Sequence, residues 1–343
     1  GELRRRHTTP ATKRALESAR MATPDFPTFT PRAPWLGADL QTLRNILRGP
    51  VLTPEGRRGE RLVLPLSDGS GDRLAARLYE PEKPRDDAPL VVLVHGLGGT
   101  EDSTYVQVTT SHLLSLGYPI LQLNLRGAGA SRPLCREQYH AGRTSDFRDA
   151  LAALPAAATR NGIVAVGYSL GGNMILKYAA EYTGLRGAVS ISAPIDLSAA
   201  SHRFLDRRNR LYLKYLLGRM KQETLAAGDG LSDEERALIP KLRSIMEFDD
   251  RIVAPRNGYS GAADYYAQNN ALQFLDAIDL PTLVIHALDD PWIPASAYTD
   301  HSWERNPRLQ PLLPRSGGHV GFHARESRVP WHDRCLEIFL ERL

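Results

Sequence analysis

Three residue types, met in one chain order, could carry nucleophilic chemistry in this sequence: Ser169, then Asp289 or Asp290, then His319. A serine hydroxyl is a weak nucleophile until a base takes its proton, and that base works best when an acid fixes its tautomer and balances its charge. Ser169 sits in Gly167-Tyr168-Ser169-Leu170-Gly171, a G-x-S-x-G pattern. The run from Ile163 before it is β-branched and apolar, and Met174, Ile175, Leu176, Tyr178 and Ala179 after it recur at helical spacing. An ordinary strand-to-helix turn would share the five-residue pattern. The flanking strand and helix supply what a nucleophile elbow requires, a sharp turn that holds the serine exposed and strained while small neighbours let strand and helix approach.

The acid and the base must come from later strand ends. Pro281-Thr-Leu-Val-Ile-His-Ala287 reads as a buried strand that ends in Leu288-Asp-Asp-Pro-Trp-Ile-Pro294. Groups just past the carboxyl end of a parallel strand face the ligand side of such a sheet. Asp290 is preferred to Asp289 because it stands three residues beyond Ala287 and precedes Pro-x-Ile-Pro; a plain turn or cap residue is the alternative. His319 lies in the loop Pro314-Arg-Ser-Gly-Gly-His-Val-Gly-Phe322 after the last expected strand, Arg308–Leu313, while His95, His140, His286 and His323 occupy less suitable positions. A glycine-rich loop, His95-Gly-Leu-Gly-Gly99, follows the strand Leu90–Val94. It lacks the lysine and spacing of a phosphate-binding loop, so the backbone N–H groups of Leu97 and Leu170 are the candidate oxyanion donors, set against a tight turn with no catalytic part.

The elements that must position these groups alternate. Arg61–Pro65 and Arg73–Tyr79 read as a hairpin, and strands at Leu90–Val94, Tyr118–Asn124, the apolar run from Ile163 up to Gly167, and Leu185–Ser192 alternate with helices at Tyr105–Leu116, Phe147–Ala158 and after Ser169. Thr144 or Ser145 is the expected N-cap of the second of these helices. From about residue 197 to 270 the alternation stops. Two helical stretches, Arg203–Met220 and Ser232–Met246, read as a lid inserted into the sheet domain, in which Phe204, Leu205, Leu211, Tyr212, Tyr215 and Leu216 would line an acyl pocket or form the lid's own core. The expected organisation is a basic tail and proline-rich arm over 1–58, with a helix at Ala38–Leu47, a first core part over 59–196, the lid over 197–270 and a second core part over 271–343, closed by a helix at Trp331–Leu340.

Charge and composition narrow the function. The chain of 343 residues carries a net charge of +4, but residues 1–20 hold six cations against two anions and the remainder is balanced at 37 of each. A neutral body with a short basic tail gives no electrostatic footprint for nucleic acid. Met21 could be a native start, with the first twenty residues outside the fold. Cys135 and Cys335 are far apart, with no metal-ligand spacing and no disulfide framework, which fits reduced thiols in a cytoplasmic protein. No apolar run approaches the length of about 20 that spans a bilayer. Peripheral lipid contact through the lid or tail stays open, without a clear amphipathic anchor to support it.

Many separate motifs together resemble the YheT-like branch of the α/β-hydrolases, related to eukaryotic abhydrolase-domain esterases and phospholipases. They are His95-Gly-Leu-Gly-Gly99, Asn124-Leu-Arg-Gly127, Tyr139-His-Ala-Gly142 with Thr144 and Asp146, Gly167 to Met174, Ser192-Ala-Pro194, Glu247-Phe-Asp-Asp250, Ala263-Asp-Tyr-Tyr266, Asp289-Asp-Pro291 and Gly317 to Phe322. The resemblance runs from about Trp35 to Phe339; Ala128, where some members have cysteine, departs from it without touching the triad. It implies an α/β-hydrolase fold, a mostly parallel sheet with helices on both faces, and a serine hydrolase of carboxylic esters, of the esterase or lipase type, with Ser169, Asp290 and His319 as its triad. Arg126, His140 and Asp146 are implied to lie near the site. The expected substrate is a small acyl ester of short to medium chain or lipid-like character, with no metal and no cofactor. Two rivals use the same residues differently: an alcohol acyltransferase, and a ligand-binding protein on a hydrolase scaffold.

Overall fold

Short, almost wholly apolar strands flanked by amphipathic helices bury best as a parallel sheet covered on both faces. The computed structural model describes residues 25–47 and 59–343; the basic tail, Met21 and residues 48–58 of the arm lie outside the described residues. Its strands are β1 (Glu60–Pro65), β2 (Arg73–Tyr79), β3 (Leu90–Val94), β4 (Ile120–Leu123), β5 (Ile163–Tyr168), β6 (Leu185–Ile191), β7 (Thr282–Ile285) and β8 (Leu309–Leu312). They form one eight-stranded sheet in the order β1-β2-β4-β3-β5-β6-β7-β8. The β1–β2 and β2–β4 pairs are antiparallel, and every pair from β3–β4 to β7–β8 is parallel. This is the α/β-hydrolase fold.

Side chains that alternate along the central strands feed two cores. Val92, Val94 and Ala165 pack with Met174, Ile175 and Leu176 of the helix Leu170–Glu181 on one face. Val91, Leu93, Val164 and Val166 pack with Val106 and Leu113 of the helix Thr104–Ser115 and with Leu336 and Phe339 of the helix Trp331–Leu340 on the other. Every residue of β3 and β5 is buried, so the central strands have no solvent face.

Between β6 and β7 lie the helices Leu197–Arg203, Arg210–Leu225, Asp233–Leu238 and Ala262–Asn269, with a π-turn at Asp249–Val253 and, among the described residues, no strand. This segment has its own apolar cluster, in which Phe204, Leu216, Met220, Ile245 and Phe248 meet Leu97 and Trp292 of the sheet domain.

Local departures have local causes. The helix expected over Phe147–Ala158 is two, Thr144–Ala152 and Ala156–Thr159. Pro155 between them has no N–H to continue the first and disfavours helical backbone at Leu154. Arg143 holds the N-cap position expected of Thr144 or Ser145, and the Thr144 hydroxyl donates to Glu181 Oε2 at 2.6 Å instead. The stretch expected as one helix near Ser232–Met246 is likewise divided. Ser232 and Glu235 form a reciprocal capping box on Asp233–Leu238, the chain turns at Ile239–Lys241, and Ser244 caps a new turn at Ile245–Phe248.

Candidate active site

Ser169 lies at the junction of β5 and its following helix with φ 51° and ψ −120°, a backbone conformation that a side-chain-bearing residue rarely adopts and that costs on the order of 1–3 kcal/mol. The surrounding glycines are a matter of space. A Cβ at Gly167 would stand 2.3 Å from the Gly171 carbonyl oxygen, and one at Gly171 would stand 2.5 Å from that of His95. The turn is pinned by the Ser169 N–H donating to Ile191 O at 2.8 Å. Strain in this serine is thus carried by the pairing of β5 with β6 and by close packing against the loop after β3.

The Ser169 hydroxyl donates to His319 Nε2 at 2.9 Å, and His319 Nδ1–H donates to Asp290 Oδ2 at 2.8 Å. The carboxylate only accepts, which assigns the proton to Nδ1 and leaves Nε2 free to take one. Asp290 Oδ1 accepts the backbone N–H groups of Trp292, at 2.8 Å, and Ile293, at 3.1 Å. Burial pushes the Asp290 carboxyl up, but the charge and hydrogen bond of His319 outweigh it and hold the group below its ordinary range. The neighbouring Asp289 has a different task, accepting the Gly318 N–H at 2.9 Å and so fixing the loop that carries His319. Of the two acids left open by the sequence, Asp290 is the one that faces the imidazole.

Further side chains hold the imidazole in place. The arm, whose chemistry is silent in the sequence, anchors the His319 loop: Thr42 Oγ1 accepts the His319 N–H at 2.8 Å, and Asn45 Nδ2 donates to Val320 O at 2.7 Å. Trp292 stacks on His319 with ring centroids 4.1 Å apart. No local pattern marks Thr42 as a partner of a residue 277 positions away, whereas Trp292, two residues after Asp290, was within reach of inference.

Arg126 and Asp146 are part of the frame rather than the cleft wall. The Arg126 guanidinium is buried and meets Asp146 at 2.8 Å, Asp68 at 2.6 Å and Asp72 at 3.3 Å. His140 does line the cleft; burial holds its imidazole well below the ordinary value, and its Nδ1 accepts the Gly142 N–H at 3.1 Å. His95 is also neutral, with burial lowering it to about 4, and its Nε2 accepts the Leu125 N–H at 3.1 Å.

Above Ser169 opens a cleft enclosing about 1070 Å³, including its open mouth. One part is apolar, walled by Phe204, Leu216, Met220, Ile245, Phe248 and Ile252. Another is polar, with Glu137, Tyr139, His140, Glu223 and Arg256. Of the aromatic and aliphatic residues considered for an acyl pocket, Phe204 and Leu216 face the cleft, while Tyr212 packs inside the helical cluster and on Trp292. Leu205, Leu211 and Tyr215 are exposed, because they occupy the outer side of the same helical stretch.

Leu97 and Leu170, the candidate oxyanion donors, both border the cleft beside Ser169. Among the described residues, neither backbone N–H has a protein acceptor. Gly96 lies against the nucleophile, where a Cβ would come within 2.8 Å of Ser169 Cβ. No group of three or more metal-ligating side chains occurs among the described residues. Cys135 and Cys335 are both free and buried. No helix among the described residues is long and apolar enough to cross a membrane.

Comparison with known proteins agrees with this fold. The family defined by the alpha/beta hydrolase fold matches residues 89–325. The Escherichia coli protein named "Putative esterase YheT" is 33% identical over 90% of this chain and 94% of its own length. A Saccharomyces cerevisiae monoacylglycerol lipase is 28% identical over 77% of this chain, which spans 62% of that enzyme. Among solved structures, the Pyrococcus furiosus esterase Pf2001 superposes with a TM-score of 0.58 at 15% identity, over 86% of this chain and 97% of the other, a likeness of fold.

Proposed function

From the premise that the chain belongs to the YheT-like branch of the alpha/beta hydrolase family, we propose that it hydrolyses carboxylic esters through an acyl-enzyme on Ser169. The observation that carries this reading is the continuous hydrogen-bonded line from Ser169 Oγ through His319 to Asp290 at the floor of the cleft. As Ser169 Oγ attacks the ester carbonyl carbon, His319 Nε2 takes its proton, and Asp290 stabilises the imidazolium while keeping its orientation. The carbonyl oxygen becomes an oxyanion held by the N–H groups of Leu97 and Leu170. Collapse of this intermediate breaks the bond to the alcohol, which leaves with the proton from His319. Water then attacks the acyl-enzyme with His319 again as base, and the carboxylic acid departs.

The helical segment 197–270 serves as a lid, and the apolar wall it supplies accepts the acyl chain. Phe204, Leu216, Met220 and Phe248 suit an aliphatic chain of short to medium length. The names of relatives, an esterase and a monoacylglycerol lipase, support a lipid-like ester. The chemistry asks for no metal or cofactor, and the two free thiols support a cytoplasmic setting.

Hydrolysis of p-nitrophenyl esters of graded acyl length, by wild type beside Ser169→Ala, tests the proposal. Activity present in the wild type and abolished in a folded Ser169→Ala protein is the expected result. Equal rates in the two would overturn it.

A further inference from the structure

Among the cleft residues that the proposed chemistry leaves unused, Tyr139 and Glu223 stand out for what they touch. Tyr139 Oη accepts the backbone N–H of Gly98 at 2.7 Å. Gly98 follows Leu97, so this bond fixes the peptide next to the candidate oxyanion donor. The same hydroxyl has one proton to donate, and it points that proton at Glu223 Oε2, 3.4 Å away. Glu223 belongs to the helix Arg210–Leu225, and Arg219 one turn earlier places its guanidinium 3.8 Å from Glu223 Oε1. The Arg219 side chain also lies over Gly98, whose φ of +65° keeps the loop close to it; a Cβ there would stand 3.2 Å from Arg219 Nε. Tyr139 itself is held by its N–H donating to Arg126 O at 2.8 Å and by its ring packing edge-on to His95. Two side chains of one helix thus converge on the loop after β3, one directly and one through a tyrosine.

We propose that Tyr139 and Glu223 are positioning residues that set the oxyanion loop, so that the helix Arg210–Leu225 is coupled to the geometry of the Leu97 N–H through the Glu223–Tyr139–Gly98 hydrogen bonds. This rests on the reading of Leu97 as an oxyanion donor. A phenolic oxygen that both donates and accepts has its rotation fixed by the acceptor it finds. With Glu223 present the Tyr139 proton is engaged and the lone pair is left for Gly98; without Glu223 the hydroxyl turns freely. The contact acts on the transition state, because the oxyanion forms only there, and ground-state binding along the apolar wall is left alone. Burial pushes Glu223 up to about 7, against the opposing charge of Arg219, and Tyr139 well above its ordinary range, so the hydroxyl stays protonated and remains the donor.

The test compares Tyr139→Phe, Glu223→Gln and Glu223→Leu with wild type and Ser169→Ala, using one p-nitrophenyl ester and a trifluoromethyl ketone of matching chain length. The ketone adds to the active serine and presents an oxyanion, whereas the ester's KM reports the cleft. Tyr139→Phe and Glu223→Leu are expected to lower kcat by about tenfold or more, short of the ~10²–10³ for loss of a donor itself. KM should stay within about twofold, and the ketone's inhibition constant should weaken in step with kcat/KM. Glu223→Gln keeps an acceptor oxygen and should restore most of the rate. Tyr139→Phe and Glu223→Leu folded yet equal to wild type, with Ser169→Ala inactive, would overturn the coupling alone. A raised KM and lowered thermal stability, with a ketone inhibition constant that stays at the wild-type value while kcat/KM falls, would assign the pair a purely structural part and overturn it as well. An active Ser169→Ala protein would overturn the reading on which it rests.

Discussion

Replacing Asp290 with asparagine removes one charge and almost no volume, and the hydrogen bonds around the acid dictate how the new side chain must sit. Asp290 Oδ1 accepts two backbone N–H groups, from Trp292 and Ile293. In Asp290→Asn the amide oxygen must keep that position, since an NH₂ group there would face two donors. The NH₂ therefore takes the place of Oδ2, 2.8 Å from His319 Nδ1. His319 must then accept at Nδ1 and carry its proton on Nε2, pointing at Ser169, where it can no longer act as a base. A wrong tautomer of this kind costs on the order of 10⁴ in kcat, about 5 kcal/mol of transition-state stabilisation. The assay is ester turnover at saturating substrate together with near-ultraviolet circular dichroism, which reports the Trp292 and Tyr298 packing around the acid. A folded Asp290→Asn protein whose kcat stays within tenfold of wild type would refute the reasoning.

Other expectations rest on the same contacts. Gly96→Ala places a Cβ 2.8 Å from that of Ser169 and 3.1 Å from Tyr168 O, and the displaced nucleophile should lose roughly 10²-fold in kcat, read in the same ester assay. Met220→Trp narrows the apolar wall and should move the preferred p-nitrophenyl ester toward shorter acyl chains; an unchanged optimum would remove Met220 from the acyl path. Arg126→Met leaves Asp146 and Asp72 buried without their cation and should cost about 3–5 kcal/mol in urea unfolding. Asp333 is fully buried, and burial raises it to about 7 against the hydrogen bond from Thr109. Because its folded value lies above its unfolded one, the stability it confers is complete below about pH 4 and is lost as pH rises through 7, on the order of 4 kcal/mol. Asp333→Asn should therefore unfold at higher urea than wild type at pH 8, keep only about a third of that advantage at pH 5, and lose it below about pH 4.

The parts that were legible in the sequence are those whose physics is local. An apolar run such as Leu90–Val94 declares a strand with no solvent face, and Gly167 and Gly171 flank Ser169 because no Cβ fits there. The choice between Asp289 and Asp290 needed three dimensions, since both follow β7 and only geometry assigns one to the imidazole and the other to Gly318. Contacts with long sequence separation were invisible. Thr42 under His319 and Glu223 behind Tyr139 are ordinary residues in ordinary helices until the chain folds. The exposure of Leu205, Leu211 and Tyr215 was equally hidden, because composition gives the apolar content of a helical stretch but not which side meets the cleft. Where Pro155 breaks a helix the signal was present, and the periodicity of the surrounding alanines obscured it.

The most direct test of the central claim is covalent trapping. Incubation with a fluorophosphonate, then protease digestion and mass spectrometry, reads which side chain is the nucleophile. The account predicts one adduct per chain, on the peptide that contains Ser169, formed in proportion to the loss of ester hydrolysis and absent in His319→Ala. An adduct on another residue, or full ester hydrolysis by protein already labelled at Ser169, would contradict it.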